Sequence, residues 1–339
     1  MTDILTRDPG AELVLGVDVG GTSIKARLTD AAGSVVQEHR VPTPRGDDQA
    51  ERIAEVVADL ATAALDAGSL DAVGVVVPGV ADDATGVSVL AVNLGWRDVP
   101  VLDRVRTALT ARGIDVPVAF GHDVRAGALA ETRPEPPGQG GVTADRRLDR
   151  GAVAFVPVGT GLASALVVDG VVVSSGGWAG EIGQVLVQHG PHAGLRVEQV
   201  ASAGAVARRA GTESAHAAML RVQAGDPVAT RAWDDCVDVL GEAIAWITAV
   251  AGCHAVVVGG GLAESGAMLL DPLRASVADR LVGLRAPTLL PARHGDAAGA
   301  IGAGLLARDL LAGNELARAT EPSTVTEPST VADPSGARR

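Results

Sequence analysis

Gly16-Val17-Asp18-Val19-Gly20-Gly21-Thr22-Ser23-Ile24-Lys25 is the stretch on which the reading of this chain turns. Apolar Ile24, Ala26 and Leu28 alternate with Ser23, Lys25 and Arg27, the period of a half-buried strand, so the glycines join two strands. A Walker-type loop needs its Lys directly after the last Gly at the start of a helix, and a dinucleotide fold needs G-x-G-x-x-G opening a helix. Neither pattern is present. A glycine turn lets backbone N–H groups approach an anion, here with Asp18 and Lys25 close by, although an ordinary hairpin turn explains Gly20-Gly21 equally well.

A second turn of the same kind lies 139 residues further on. That shift lays Val17-Asp18-Val19-Gly20-Gly21-Thr22 over Val156-Pro157-Val158-Gly159-Thr160-Gly161, and Ala26, Leu28 and Asp30 over Ala165, Val167 and Asp169. Strand-like β-branched runs alternate with Ala-rich helical windows, so the expected class is α/β with a duplicated unit and a cleft between the copies. Helices are expected over 48–67, 102–111, 124–131, 196–210 and 233–251. Arg133 to Gly141, rich in Pro and Gly, and the charged Asp145-Arg146-Arg147 read as surface loop. The repeated Glu-Pro-Ser-Thr-Val near the end puts residues 316–339 in a disordered tail.

At 339 residues the chain exceeds what one core usually supports, and with 47% hydrophobic but only 2% aromatic residues its cores must be aliphatic. A net charge of −13 and the lack of aromatic stacking platforms argue against nucleic acid and anionic membrane as partners. Cys236 and Cys253, the only cysteines, form no C-x-x-C pair, so neither a disulfide framework nor a cysteine zinc site is expected, and a reducing cytoplasm fits best. No apolar run is long enough to span a bilayer.

Further candidates for chemistry sit at strand ends. A third cluster, Gly259-Gly260-Gly261, follows the apolar run 255–258 and leaves room for a ring or ribose against the backbone. Asp123 follows a strand through Gly121-His122 and precedes a helical window; it reads as a helix cap or as a general base toward a substrate hydroxyl. Glu181 lies between glycines in a constrained loop, Glu198 begins a helix, and Asn93 sits in a turn where it can face a sugar. His189 and His192 lack further ligands and read as a polar loop rather than a metal site.

Taken together, these motifs resemble the ROK family of sugar kinases and sugar-responsive repressors, within the actin-like ATPase (ribonuclease H-like) superfamily. The matches are Asp18-x-Gly20-Gly21-Thr22-x-x-Lys25, His122-Asp123, Gly159-Thr160-Gly161, Ala179-Gly180-Glu181-Ile182-Gly183, Gly259-Gly260-Gly261 and the segment 295–303, in family order from about residue 13 to 312. The resemblance implies two α/β domains, 12–118 with about 300–315, and 119–299. It implies ATP and Mg²⁺ as cofactors, with Asp18, Gly20, Gly21, Thr22 and Lys25 as the first phosphate loop and Asp18 on the magnesium side. Gly159, Thr160 and Gly161 would be the second loop and Gly259, Gly260 and Gly261 the adenosine site. Asp123 would be the catalytic base, and Gly79, Asn93, His122, Glu181, Gln184 and Glu198 would line the sugar pocket.

Two departures stand out. His122 occupies the place of the family's usual Asn, and Gln184 the place of its His. The family's zinc cluster of cysteines before the second Glu has no counterpart between residues 185 and 197, so structural zinc is not expected. The implied activity is ATP-dependent phosphorylation of a hexose, glucose at its 6-hydroxyl first, in a cytoplasmic protein that resembles homodimeric relatives. The alternatives are an N-acetylhexosamine kinase, a polyphosphate-dependent kinase, and a sugar-binding protein without turnover. About 12 residues precede the first strand, which leaves no room for the DNA-binding segment of the repressors.

Overall fold

Apolar β1 (Val14–Val19) is buried along its whole length, whereas β2 (Ser23–Thr29) buries alternate residues, as the sequence period requires. The protein is described here from a computed structural model covering residues 12–134 and 148–313. Asp145-Arg146-Arg147, most of the 133–141 loop and the 316–339 tail lie outside the described residues. β1 and β2 pair antiparallel, with Val17 opposite Ala26, and β3 (Val35–Pro42) continues the meander. α1 (Glu51–Leu65) buries Ile53, Val57, Leu60, Ala61 and Ala64, a stripe at helical spacing, against the sheet. β4 (Ala72–Val77) then returns parallel to β1.

A small antiparallel flap follows, made of β5 (Val80–Asp82), β6 (Val87–Ala91) and β7 (Trp96–Val99). Trp96 anchors it: the ring is buried and its Nε1–H donates to Asp47 O at 2.6 Å. After α2 (Val101–Ala111), β8 (Val118–His122) pairs with β4 and completes a sheet of order β3-β2-β1-β4-β8. That sheet runs to His122, four residues past the expected boundary at 118, because β8 belongs to it by pairing. α3 (Asp123–Thr132) begins at once and packs on the second sheet.

β9 (Ala152–Pro157), β10 (Ala165–Val168) and the short β11 (Val171–Val172) repeat the meander. The expected helix over 196–210 is two helices, α4 (Val197–Ala201) and α5 (Ala203–Ala210). Ser202 breaks it by leaving helical geometry and accepting from Ala205 N–H at 3.0 Å, an N-cap that restarts the chain. α6 (Ala215–Gln223) leads to α7 (Pro227–Ala251), which starts six residues before the expected Trp233 because Asp226 caps it and Pro227 fits the first turn. β12 (Ala255–Gly259), α8 (Gly260–Ala263), α9 (Ala267–Arg280) and β13 (Thr288–Pro291) complete a sheet of order β11-β10-β9-β12-β13.

Strand by strand, the two sheets have one topology: an antiparallel meander, then two parallel neighbours. The duplication expected from the 139-residue shift is therefore present. Its second turn is one residue longer, since Ala165 faces Phe155 rather than Val156. α10 (Ala298–Leu311) returns to the first sheet and also packs on α3. Gly16 and Gly74 face each other across β1 and β4, and a Cβ on either would meet α10 backbone oxygens at 2.1 Å and 1.9 Å. Glycine there is a condition of the helix lying on the sheet.

Candidate active site

Loop-bearing ends of β1, β4, β8, β9 and β12 converge on one cleft, the edge where α/β folds carry ligands. Asp18 comes from β1. Its carboxyl lies 3.6 Å from Lys25 Nζ and against the first turn of α10, where a Cβ on Gly299 would meet its Cγ at 2.7 Å. Burial pushes the Asp18 carboxyl up, and Lys25 opposes that shift. Lys25 also donates to Asp296 O at 2.9 Å, which ties the first hairpin to the segment leading into α10.

Asp123 opens α3 at the floor of the cleft, with 28% of its side chain exposed. Its Oδ1 accepts from Val124 N–H at 2.7 Å and lies 3.2 Å from His122 Nε2. This is not the expected N-cap, which would accept from the second or third residue of the helix; His122 holds the cap position and makes no capping bond. Burial, with help from Arg125, pushes the His122 ring down to about 3, so it is neutral beside Asp123. The Asp123 carboxyl is pushed up to about 7, by desolvation first and by Asp18 and Glu181 as further repulsion, against the Val124 N–H and Arg125.

Asp18 and Glu181 both lie close enough to Asp123 to repel its charge. Glu181 is itself raised by desolvation and by Glu198, with Arg125 opposing. The Glu181 loop is built on the second hairpin: Ser164 N–H and Oγ–H both donate to Gly180 O, at 2.7 Å and 3.0 Å, and a Cβ on Gly183 would meet Leu162 O at 2.0 Å. Glu198 follows on α4, with Oε2 3.4 Å from where a Gly161 Cβ would lie. Gln184 is exposed beside it and accepts from Arg196 Nη1 at 2.6 Å.

The glycines divide by physical cause. Gly159 and Gly261 face open space, as a phosphate or nucleotide surface requires, while Gly20 and Gly21 make a tight turn closed by Gly20 N–H on Ser23 O. Thr22 and Thr160 are exposed at the tips of their hairpins. Gly259 is instead small because Phe155 lies 2.9 Å from its would-be Cβ, and Gly260 turns at φ +74 against the Val158 backbone. Gly79, at φ +87, fits under Leu90 O of the flap. Asn93 is exposed next to Gly21, on the phosphate hairpin, with its Cβ 3.3 Å from the Gly21 Cβ position.

The sequence reading missed Arg125. Its guanidinium is buried in α3 and donates to Ala81 O, Gly177 O and Asp83 Oδ1, at 2.8, 3.3 and 2.8 Å, tying the flap to the second unit. An Arg inside an Ala-rich helix window was the available signal. Magnesium fits the residues at Asp18, a buried carboxylate raised by desolvation that a divalent cation would relieve. The family's zinc does not fit. Segment 185–197 holds no cysteine, and among the described residues no cluster of three or more His, Cys, Asp or Glu is placed for a metal. No helix among the described residues is long and apolar enough to cross a membrane.

A duplicated five-stranded unit with paired hairpins over one cleft is the actin-like ATPase architecture, and solved structures share it. A ROK hexokinase from Thermus thermophilus superposes with TM-score 0.73 at 28% identity, covering 89% of this chain and 99% of that one. A ROK glucokinase from Streptomyces griseus, solved with glucose and AMPPNP, gives 0.71 at 27%, covering 88% and 99%. The ROK family pattern matches residues 14–310, and the chain belongs to the ROK family. An N-acetylmannosamine kinase of Escherichia fergusonii is 31% identical over 306 residues, covering 87% of this chain and 98% of the relative. A glucokinase of Streptomyces coelicolor is 28% identical over 330 residues, covering 88% and 98%.

Proposed function

We propose that the protein transfers the γ-phosphoryl group of ATP to the 6-hydroxyl of a hexose, glucose first, with Asp123 as general base. The observation that carries the reading is the state of Asp123. Oδ1 accepts from Val124 N–H and has the neutral His122 ring 3.2 Å away, while Oδ2 takes no hydrogen bond among the described residues. A carboxyl raised to about 7 is matched to taking a hydroxyl proton near neutral pH. The hydroxyl oxygen attacks the γ-phosphorus, its proton passes to Oδ2, and the bond from that phosphorus to the leaving oxygen of ADP breaks.

In this reading Lys25 and the second hairpin turn, Gly159 to Gly161, grip the triphosphate. Asp18 would hold the magnesium ion, which when bound would supply positive charge against the transferred group. Glu181, Glu198, Gln184 and Asn93 face the sugar, His122 steadies the base, and closure of the two units over the cleft excludes water. The unit of the first sheet, through His122 and with α10, and the unit of the second sheet are the two jaws. The 31% identical N-acetylmannosamine kinase makes N-acetylhexosamines the second reading of the substrate.

ADP release measured with ATP across hexoses and N-acetylhexosamines tests the proposal. Glucose is expected to give the highest kcat/KM, and Asp123→Asn only background. An enzyme that releases no ADP in response to any sugar would refute it.

A further inference from the structure

Between Gln184 and Glu198 the chain leaves the site as an arm and comes straight back. Val187 N–H donates to Leu195 O, Gly194 N–H to Val187 O and Val197 N–H to Val185 O, at 2.8, 2.9 and 2.9 Å. The tip is docked where His192 Nε2 lies 3.0 Å from Asp235 Oδ2 of α7, a carboxylate that also binds Arg209 of α5. At the root stands Arg196. Its Nη1 donates to Gln184 Oε1 at 2.6 Å and reaches Glu198 Oε1 at 3.0 Å, and its own N–H donates to Gln199 Oε1 at 2.8 Å.

We propose that Arg196 is the positioning residue of the sugar pocket: it fixes Gln184 on one side of the arm and Glu198 on the other in a single geometry, without a metal. The inference rests on the hexose-kinase reading, which puts both side chains against the sugar. A planar guanidinium offers two hydrogens from one nitrogen in fixed directions, so it can serve both acceptors at once; an ammonium offers a point charge and no such plane. Its charge has a second effect. Glu198 repels Glu181, and the Arg196 cation holds Glu198 in place against that repulsion.

The pair is exposed enough, at 44% for Arg196 and 22% for Glu198, that its contribution to global stability is small. A positioning role therefore reads out in sugar affinity and leaves the melting temperature nearly unmoved, whereas a purely structural role would do the reverse.

Calorimetry of glucose and N-acetylmannosamine binding to the full chain, for wild type, Arg196→Ala and Arg196→Lys, tests this, together with KM for ATP. Loss of a charge-assisted contact set predicts sugar affinity weaker by about tenfold in Arg196→Ala. Arg196→Lys recovers only part of that loss, KM for ATP shifts less than about twofold, and Tm moves by less than about 2 °C. Chelator treatment is expected to leave wild-type sugar affinity unchanged. Unchanged sugar affinity in both variants, equal losses toward ATP and sugar, or a chelator-sensitive wild type would each overturn the inference. If Arg196→Ala does not fold, Arg196→Lys carries the same comparison. Wild type that binds neither sugar overturns the hexose-kinase reading itself, and does so before any variant is compared.

Discussion

The two sheets share one topology yet differ at equivalent positions, and the difference separates scaffold from chemistry. In the first sheet, paired Gly16 and Gly74 let the backbone of α10 lie directly on β1 and β4. In the second, Phe155 and Val257 face each other at the equivalent place, and room is made from the helix side, by Gly127 of α3, where an added Cβ would meet the Phe155 ring at 2.9 Å. α3 and α10 then meet, with Gly302 under Ala126 O. The hairpins diverge as well. Where the first carries Asp18 and Lys25, the second has Pro157 and Ser164, and Ser164 serves to hold the Gly180 backbone that presents Glu181. One hairpin supplies charge to the site and the other supports the Glu181 loop.

The comparison can be sharpened by substitutions that act on one unit and not the other. Asp123→Asn, at the junction, is expected to lower kcat by about a thousandfold while sugar affinity persists, checked by steady-state kinetics beside calorimetry. The same variant has a stability signature. The folded carboxyl sits near 7 and the ordinary value near 3.8, so the stability present below the lower value is lost as pH rises through the folded one. Asp123→Asn is accordingly expected to melt above wild type, by a margin that grows from pH 4 to about pH 7 and then levels.

Asp18→Asn removes the charge of the first hairpin and is expected to lower kcat by about a hundredfold and weaken the magnesium dependence, measured by metal titration of activity. Gly74→Ala pushes α10 off the sheet and costs about 1–3 kcal/mol, seen in denaturant midpoints, with no counterpart at Val257 in the second sheet. Smallest is Thr160→Ala at the tip of the uncharged hairpin, expected to raise KM for ATP by less than about threefold, near one neutral hydrogen bond. A larger effect at Thr160 than at Asp18 would break the division of labour between the hairpins.

Much of this was legible in the sequence because it is local. The period of residues 23–28 fixed a strand after the Gly-Gly turn, and the 139-residue echo disclosed the second unit before any coordinates. Asp226-Pro227 was equally local, yet the expected start at Trp233 passed over it. What stayed hidden depends on partners distant in sequence. Gly16 sits beside the phosphate-loop motif and Gly259 within the adenosine motif, yet their small size answers to α10 and to Phe155. Arg125 and Arg196 carry no motif; beyond the oddity of an Arg in an Ala-rich window, their roles show only when the flap, the Gly177 loop or the 184–198 arm folds against them. His122 reads as a sugar ligand by resemblance, and in the fold its ring is buried with Nε2 3.2 Å from the Asp123 carboxylate.

The central claim is that Asp123 is a base poised by its surroundings, and the pH dependence of kcat/KM for the sugar addresses it most directly. The account predicts an ascending limb with an apparent pKa near 7, reporting ionisation of Asp123 in the free enzyme, and the disappearance of that limb in Asp123→Asn. A profile flat from acid to alkaline pH, or the same limb persisting in Asp123→Asn, would contradict it.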